Sequence, residues 1–199
     1  PNRYDCARPG PFLHLAIKKL GRFRQPGHRV TGNRQINSRG GGWEYVHLAI
    51  DDHSRVAFAS IEPDERARSA GRALLLAVRY YRGLGVRFER VLTDNGACYR
   101  SRRFRRLVRR LGMHHLRTRP YTPRTNGKAE RLVQTSLREW AYARAYDSSE
   151  QRAHALGPWL HHYNWHRPHA TPGYKPPICR IQLSNGLGCH SQRSQHPSE

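Results

Sequence analysis

The chain has 199 residues, 36 of them Lys or Arg against 14 Asp or Glu, and a formal net charge of +22. That length accommodates one domain with a real core, and no apolar run approaches the ~18 residues of a membrane-spanning helix. The four cysteines, Cys6, Cys98, Cys179 and Cys189, show no C-x-x-C spacing, which argues against a zinc knuckle and against a disulfide framework, so a cytoplasmic location is expected.

Residues 13–19, LHLAIKK, set Leu13, Leu15 and Ile17 on one side and His14, Ala16 and Lys18 on the other, which predicts a half-buried strand. Residues 22–42 are polar and rich in Gly and Pro, as in a long turn or mobile hairpin tip. A second strand is predicted over 44–51, with Val46, Leu48 and Ile50 buried, and a third over 55–61, completing an antiparallel meander. Ala70, Leu74, Val78 and Tyr81 share one face of a helix ended by Gly83 and Gly85. A fourth strand, 88–93, stops at Asp94-Asn95-Gly96. In the helix that follows, Phe104, Leu107, Val108 and Leu111 face inward and arginines outward, with Gly112 as the stop. A fifth strand is expected over 113–118, parallel to the fourth, which makes the sheet mixed. PYTPRTNG, 120–127, is irregular; a helix then runs from Lys128 to about Tyr146, capped by Asn126 or Thr125. Ser148-x-x-Gln151 reads as a capping box for a last helix over 149–165, kinked or restarted at Gly157-Pro158. Residues 1–180 read as one domain and 181–199 as a polar tail with little order. The chain begins at Pro1 and has no basic-then-apolar signal pattern; further residues N-terminal to it are expected.

An excess of positive charge on this scale repels itself unless a polyanion is near. Nucleic acid fits, because each neutralised phosphate releases counterions and arginine grips phosphate as a fork. An anionic membrane surface is the other partner of that chemistry, and Arg-favouring codon usage is the bland source. Against this background two acids stand out. Asp94 lies just past the C-terminal end of a buried strand, where α/β sheets place their sites; alone it is an ordinary turn residue. Glu130 lies on the first turn of the helix after the proline-rich loop, where any acid is favoured by the helix dipole. Thirty-five residues separate them, and basic segments surround both. Two carboxylates sharing a divalent ion polarise a phosphodiester, and magnesium suits an all-oxygen site.

The stretches VLTDNGACYRS, RTRPYTPRTNGKAERLVQTSLREWAY and YNWHRPH, with HLAIDDHSRVAF before them, resemble the integrase-core transposases of bacterial insertion sequences, most like insertion-sequence family 481. The resemblance covers about residues 1–180. It implies a ribonuclease-H-like α/β fold, a five-stranded mixed sheet with helices on both faces, and an Asp, Asp, Glu triad with 35 residues between its last two members. Asp94 and Glu130 match those two. The implied chemistry is DNA strand cleavage and strand transfer with two magnesium (or manganese) ions, by a homo-oligomer assembled on DNA and without a membrane partner. The first acid falls at Ala16, whose methyl cannot bind metal, so weak or absent catalysis is expected. Asp51 and Asp52 are expected to form a turn and pair with Arg55. Arg124, Lys128 and Arg131 are the candidate DNA contacts, weighed against a merely solvated basic face; the arginine-rich helix reads as solvated or as a non-specific phosphate face. His161, His162, His166 and His169 sit in the YNWHRPH region, where packing is favoured over metal binding. The alternatives are a non-catalytic DNA-binding remnant that pairs with intact transposase, and a stand-alone ribonuclease.

Overall fold

The structure is a computed structural model that describes residues 6–25, 41–118, 126–170 and 173–181. Three strands, Phe12–Gly21 (β1), Trp43–Asp51 (β2) and Ala57–Glu62 (β3), form the expected antiparallel meander, in register from Leu13 opposite Asp51 to Gly21 opposite Trp43 and from Ile50 opposite Ala57 to Tyr45 opposite Glu62. The chain then crosses back through Ala67–Gly83 (α1), so that Arg90–Thr93 (β4) adds parallel to the open edge of β1. Two helices, Ala97–Arg100 (α2) and Arg102–Arg110 (α3), lead to His114–Arg117 (β5), parallel to β4. The sheet is five-stranded and mixed, as the sequence predicts, and its order is β3-β2-β1-β4-β5.

Helices cover both faces. Leu13, Leu15, Ala49 and Val91 pack against Leu74, Val78 and Tyr81 of α1 and Phe104 and Val108 of α3. On the opposite face, Ala16, Leu20, Val46, Leu48 and Ile50 pack against Ala129 and Leu132 of Gly127–Ser136 (α4), together with Trp140, Trp159 and Tyr163. β1 is therefore not half-buried, as its alternation suggests. It is central, and its His14 and Ala16 side is covered by α4.

The helix stops act as read. Gly85 and Gly112 take φ of +77° and +74° just after α1 and α3, where a side chain is disfavoured. Ser101 caps α3 by accepting from the Phe104 amide at 3.1 Å. The helix predicted to reach Tyr146 is shorter: α4 ends at Ser136 and passes into a π turn, Leu137–Ala141. One extra residue in that turn re-phases the face. Trp140 thereby enters the core, stacked on Trp159 with its indole nitrogen donating to the Arg152 carbonyl at 2.8 Å. The last predicted helix is two, Ser149–His154 (α5) and Leu156–Trp165 (α6). Pro158 lies in the first turn of α6, where its missing N–H costs nothing. Ser148 Oγ accepts from the Gln151 backbone N–H at 3.2 Å, but the Gln151 side-chain Oε1 accepts from Asp147 N at 2.8 Å, so the capping box closes one residue early.

Arg22 N donates to the Gly42 carbonyl at 3.0 Å, joining the ends of the predicted hairpin tip, of which 26–40 lie outside the described residues. So do 119–125, with Arg124, and the tail 182–199. Cys6 and Cys98 are free, whereas Cys179 is disulfide-bonded, a bond that the spacing of the cysteines does not suggest. No helix among the described residues is long and apolar enough to cross a membrane.

Candidate active site

Asp94 follows β4 directly and is exposed. Its Oδ1 accepts from the Gly96 amide at 2.8 Å, so the plain turn role is real. That contact needs glycine: a Cβ on Gly96 would stand 2.9 Å from Asp94 Oδ1. Asn95 Nδ2 donates to the Thr118 carbonyl at 2.9 Å, fastening the loop to the end of β5. Nothing in this turn occupies the second carboxylate oxygen or pairs the acid with a cation among the described residues, so the carboxylate stays available.

β1 and β4 run parallel, with Leu13 beside Val91 and His14 beside Leu92. Ala16 lies two residues further along β1 than the last paired residue, and Asp94 two residues beyond its partner, just past the end of β4. Ala16 is 9% exposed and lies on the face covered by α4.

Glu130 is exposed on the first turn of α4, next to Ala129, which packs in the same cluster as Ala16. Asn126 holds the start of that helix, though not by capping it, since no side-chain cap bond forms. Instead its Nδ2 donates to the Leu15 carbonyl at 3.3 Å, and its Oδ1 faces His14 Nδ1 at 3.2 Å. His14 Nε2 in turn lies 2.7 Å from Asp52 Oδ1. Both ring nitrogens thus face oxygens.

Asp52 is the hub. Lys128 Nζ donates to its Oδ1 at 2.5 Å, and the Cys6 amide to its Oδ2 at 3.1 Å. Burial opposes ionisation of Asp52, but the hydrogen bonds from His14 and Lys128 outweigh it and hold the carboxyl well below the usual carboxylate range. The expected pairing with Arg55 takes another form. Arg55 donates to the Asp52 backbone carbonyl, while Asp51 closes the turn, accepting from Ser54 N and Oγ at 2.7 Å each. Both carboxylates are thus engaged within the fold.

Two family profiles, each described as an integrase core domain, match residues 26–123 and 111–177. The chain contains an integrase core domain. Over 99 residues, 48% of this chain, it is 37% identical to the Escherichia coli transposase InsD for insertion element IS2A/D/F/H/I/K and to the putative transposase InsD for insertion element IS2E of strain K12. The match spans 33% and 45% of those two proteins, so the chain corresponds to less than half of either. The fold is similar to that of the simian T-cell lymphotropic virus intasome in complex with PP2A regulatory subunit B56 gamma, with a TM-score of 0.65 and 19% identity over 100% of this chain and 60% of that one. It is also similar to the HTLV-2 integrase catalytic core domain in complex with magnesium, with a TM-score of 0.61 and 15% identity over 88% and 97%. The likeness to these integrases establishes the ribonuclease-H-like fold.

No group of three or more His, Cys, Asp or Glu among the described residues of this integrase core is arranged to hold a metal ion. The residues present do not fit a two-ion centre. Of the candidate DNA contacts, Arg131 is exposed, whereas the side chain of Lys128 is 22% exposed and bound to Asp52.

The structural role of the C-terminal motif is plain in this integrase core. Asn164 clamps Ala57 of β3, accepting from its N–H at 2.7 Å and donating to its carbonyl at 2.8 Å. Arg167 forks onto Glu139 with two bonds of 2.8 Å. His161 stacks on Trp165 and faces His166 Nε2 at 3.1 Å, and His169 meets Tyr163 edge-on. The linkage of His14, Asp52 and Asn126 escapes sequence reasoning, because its members lie 38 and 112 residues apart. The only local signal is a histidine on the alternating face of a strand.

Proposed function

We propose that this domain is the catalytic core of an insertion-sequence transposase, most like family 481, whose ancestral reaction is magnesium- or manganese-dependent DNA strand cleavage and transfer, and that Ala16 has removed most of that activity. The reading assigns Asp94 and Glu130 as metal ligands. The observation that supports it is the parallel register of β1 and β4, which, extended two residues past the His14–Leu92 pair, sets Ala16 level with Asp94, while Asn126 ties the start of the Glu130 helix to the carbonyl of Leu15. In an intact site of this class, bound metal ions activate the nucleophile and stabilise charge on the phosphodiester. Losing a ligand that holds them costs several kcal/mol of transition-state stabilisation, at about tenfold in rate for every ~1.4 kcal/mol.

DNA is the proposed substrate, with Arg124, Arg131 and Lys128 as contacts near the site. Exposure supports Arg131. The ion pair with Asp52 gives Lys128 first of all a structural duty. Action as a homo-oligomer on DNA is part of the same proposal. A second reading, a DNA-binding partner that joins and inhibits an intact transposase, is favoured by the methyl group at position 16.

The test is a strand-transfer assay on cognate ends with magnesium or manganese, comparing the unaltered domain with Ala16→Asp, each joined to its natural N-terminal region. Recovery confined to Ala16→Asp is expected. Robust transfer by the unaltered chain would show that the first acid lies elsewhere.

A further inference from the structure

α3 is the most strongly charged surface of the fold. Arg102, Arg103, Arg105, Arg106, Arg109 and Arg110 are all exposed, within a nine-residue helix. None of them forms an ion pair among the described residues, although arginines elsewhere do: Arg8 with Glu89, Arg72 with Glu62, Arg152 with Glu44 and Arg167 with Glu139. At 3.6 residues per turn the six occupy about 160° of the circumference, and Phe104 and Val108 on the other side are fully buried against the sheet. The face therefore points wholly to solvent. Six guanidinium groups this close repel one another, so folding by itself gains nothing from them.

We infer that the outer face of α3 is a second DNA-binding surface, which takes the phosphate backbone of a duplex without reading its sequence. It lies across the sheet from α4, since α3 packs in the core of α1 and α4 in the opposite one. The inference rests on the DNA-acting reading above but uses residues that this reading does not. Charge complementarity identifies the occupant. The helix is about 14 Å long, and a duplex of that length carries roughly eight phosphate charges. Arginine forks suit phosphate oxygens, and the face offers no Asn or Gln to read base edges. The strip continues toward the site: Arg117 is exposed at the end of β5, next to Thr118, whose carbonyl holds the Asp94 loop through Asn95. Burial, with the charges of Arg117 and Arg105 adding to it, lowers the pKa of His115.

The test measures binding of the whole chain to a random 30-base-pair duplex by fluorescence anisotropy across a salt series. The combined variant Arg102→Gln, Arg106→Gln, Arg109→Gln and Arg110→Gln is compared with a charge-matched control, Arg8→Gln, Arg66→Gln, Arg72→Gln and Arg138→Gln, whose arginines all have acidic partners. Thermal melting verifies that both fold. The α3 variant is expected to bind at least about tenfold more weakly, with a log–log salt slope shallower by about 3, equally on random and cognate duplexes, and the control to stay near the unaltered chain. Equal losses in the two variants would mean that net charge alone is at work and would overturn the inference. So would wild-type binding to phosphatidylserine vesicles that outcompetes the duplex. If the unaltered chain fails to bind DNA at all, the DNA-acting reading falls with it, an outcome distinct from binding that survives the loss of the α3 arginines.

Discussion

At Asp52 a single carboxylate joins the segment before β1, β1 itself and the start of α4. Its side chain is 5% exposed, and His14 and Lys128 both meet its Oδ1. Removing it takes away the acceptor that His14, Lys128 and the Cys6 amide share, and breaking a buried charged pair is expensive. Asp52→Ala is therefore expected to cost about 3 kcal/mol, read as a fall in the urea midpoint at an unchanged slope. A midpoint within error of the parent would mean that the linkage carries no stability. Position 16 is the counterpart. Ala16 fits its buried place, so Ala16→Asp sets a carboxylate where apolar neighbours now pack, and the gain in transfer sought above is expected to come with some loss of stability. The composition shows that these residues are present; only the folded chain shows that Asp52 is engaged and Asp94 is open.

Among the elements, α6 shows how a motif that looks chemical is structural. Asn164 satisfies both backbone groups of Ala57 from a helix 107 residues away in sequence. Asn164→Ala is expected to cost about 2 kcal/mol, because two buried backbone groups lose partners, and to raise amide exchange in β3 more than in β4. Equal exchange in the two strands would argue against the clamp. Five strands and most of the helices are legible from periodicity, since Val46, Leu48 and Ile50 alternate at period two and Phe104, Leu107 and Val108 recur at helical spacing. The π turn at Leu137–Ala141 is not legible. Nothing local requires the extra residue; the demand comes from Trp159, which packs on Trp140 from another helix.

For the molecule as a whole, charge and pH act together. Burial lowers the pKa of His47, His115 and His169, that of His169 to about 4, with Arg167 adding to the effect. A histidine whose folded pKa is depressed binds fewer protons than in the unfolded chain, so its contribution is present above about pH 6.5 and lost as pH falls toward the folded value. Asp52, also depressed, adds a loss below about pH 4. Both act in the same direction, and every proton taken up adds to a net charge already at +22. The urea midpoint is expected to be lower at pH 4.5 than at pH 7; a midpoint that rises on acidification would contradict this assignment.

Read by itself, the chain determines its strands, its basic character, the positions of Asp94 and Glu130 and the methyl group that stands at 16, because periodicity, charge and residue identity are local properties. Tertiary structure decides what these residues face. Burial of both sides of β1, the tie from Asn126 to Leu15 and the capture of Lys128 by Asp52 all depend on contacts between residues far apart in the chain. Such contacts form only when the sheet brings its two faces under different helices, and no window of sequence contains both partners.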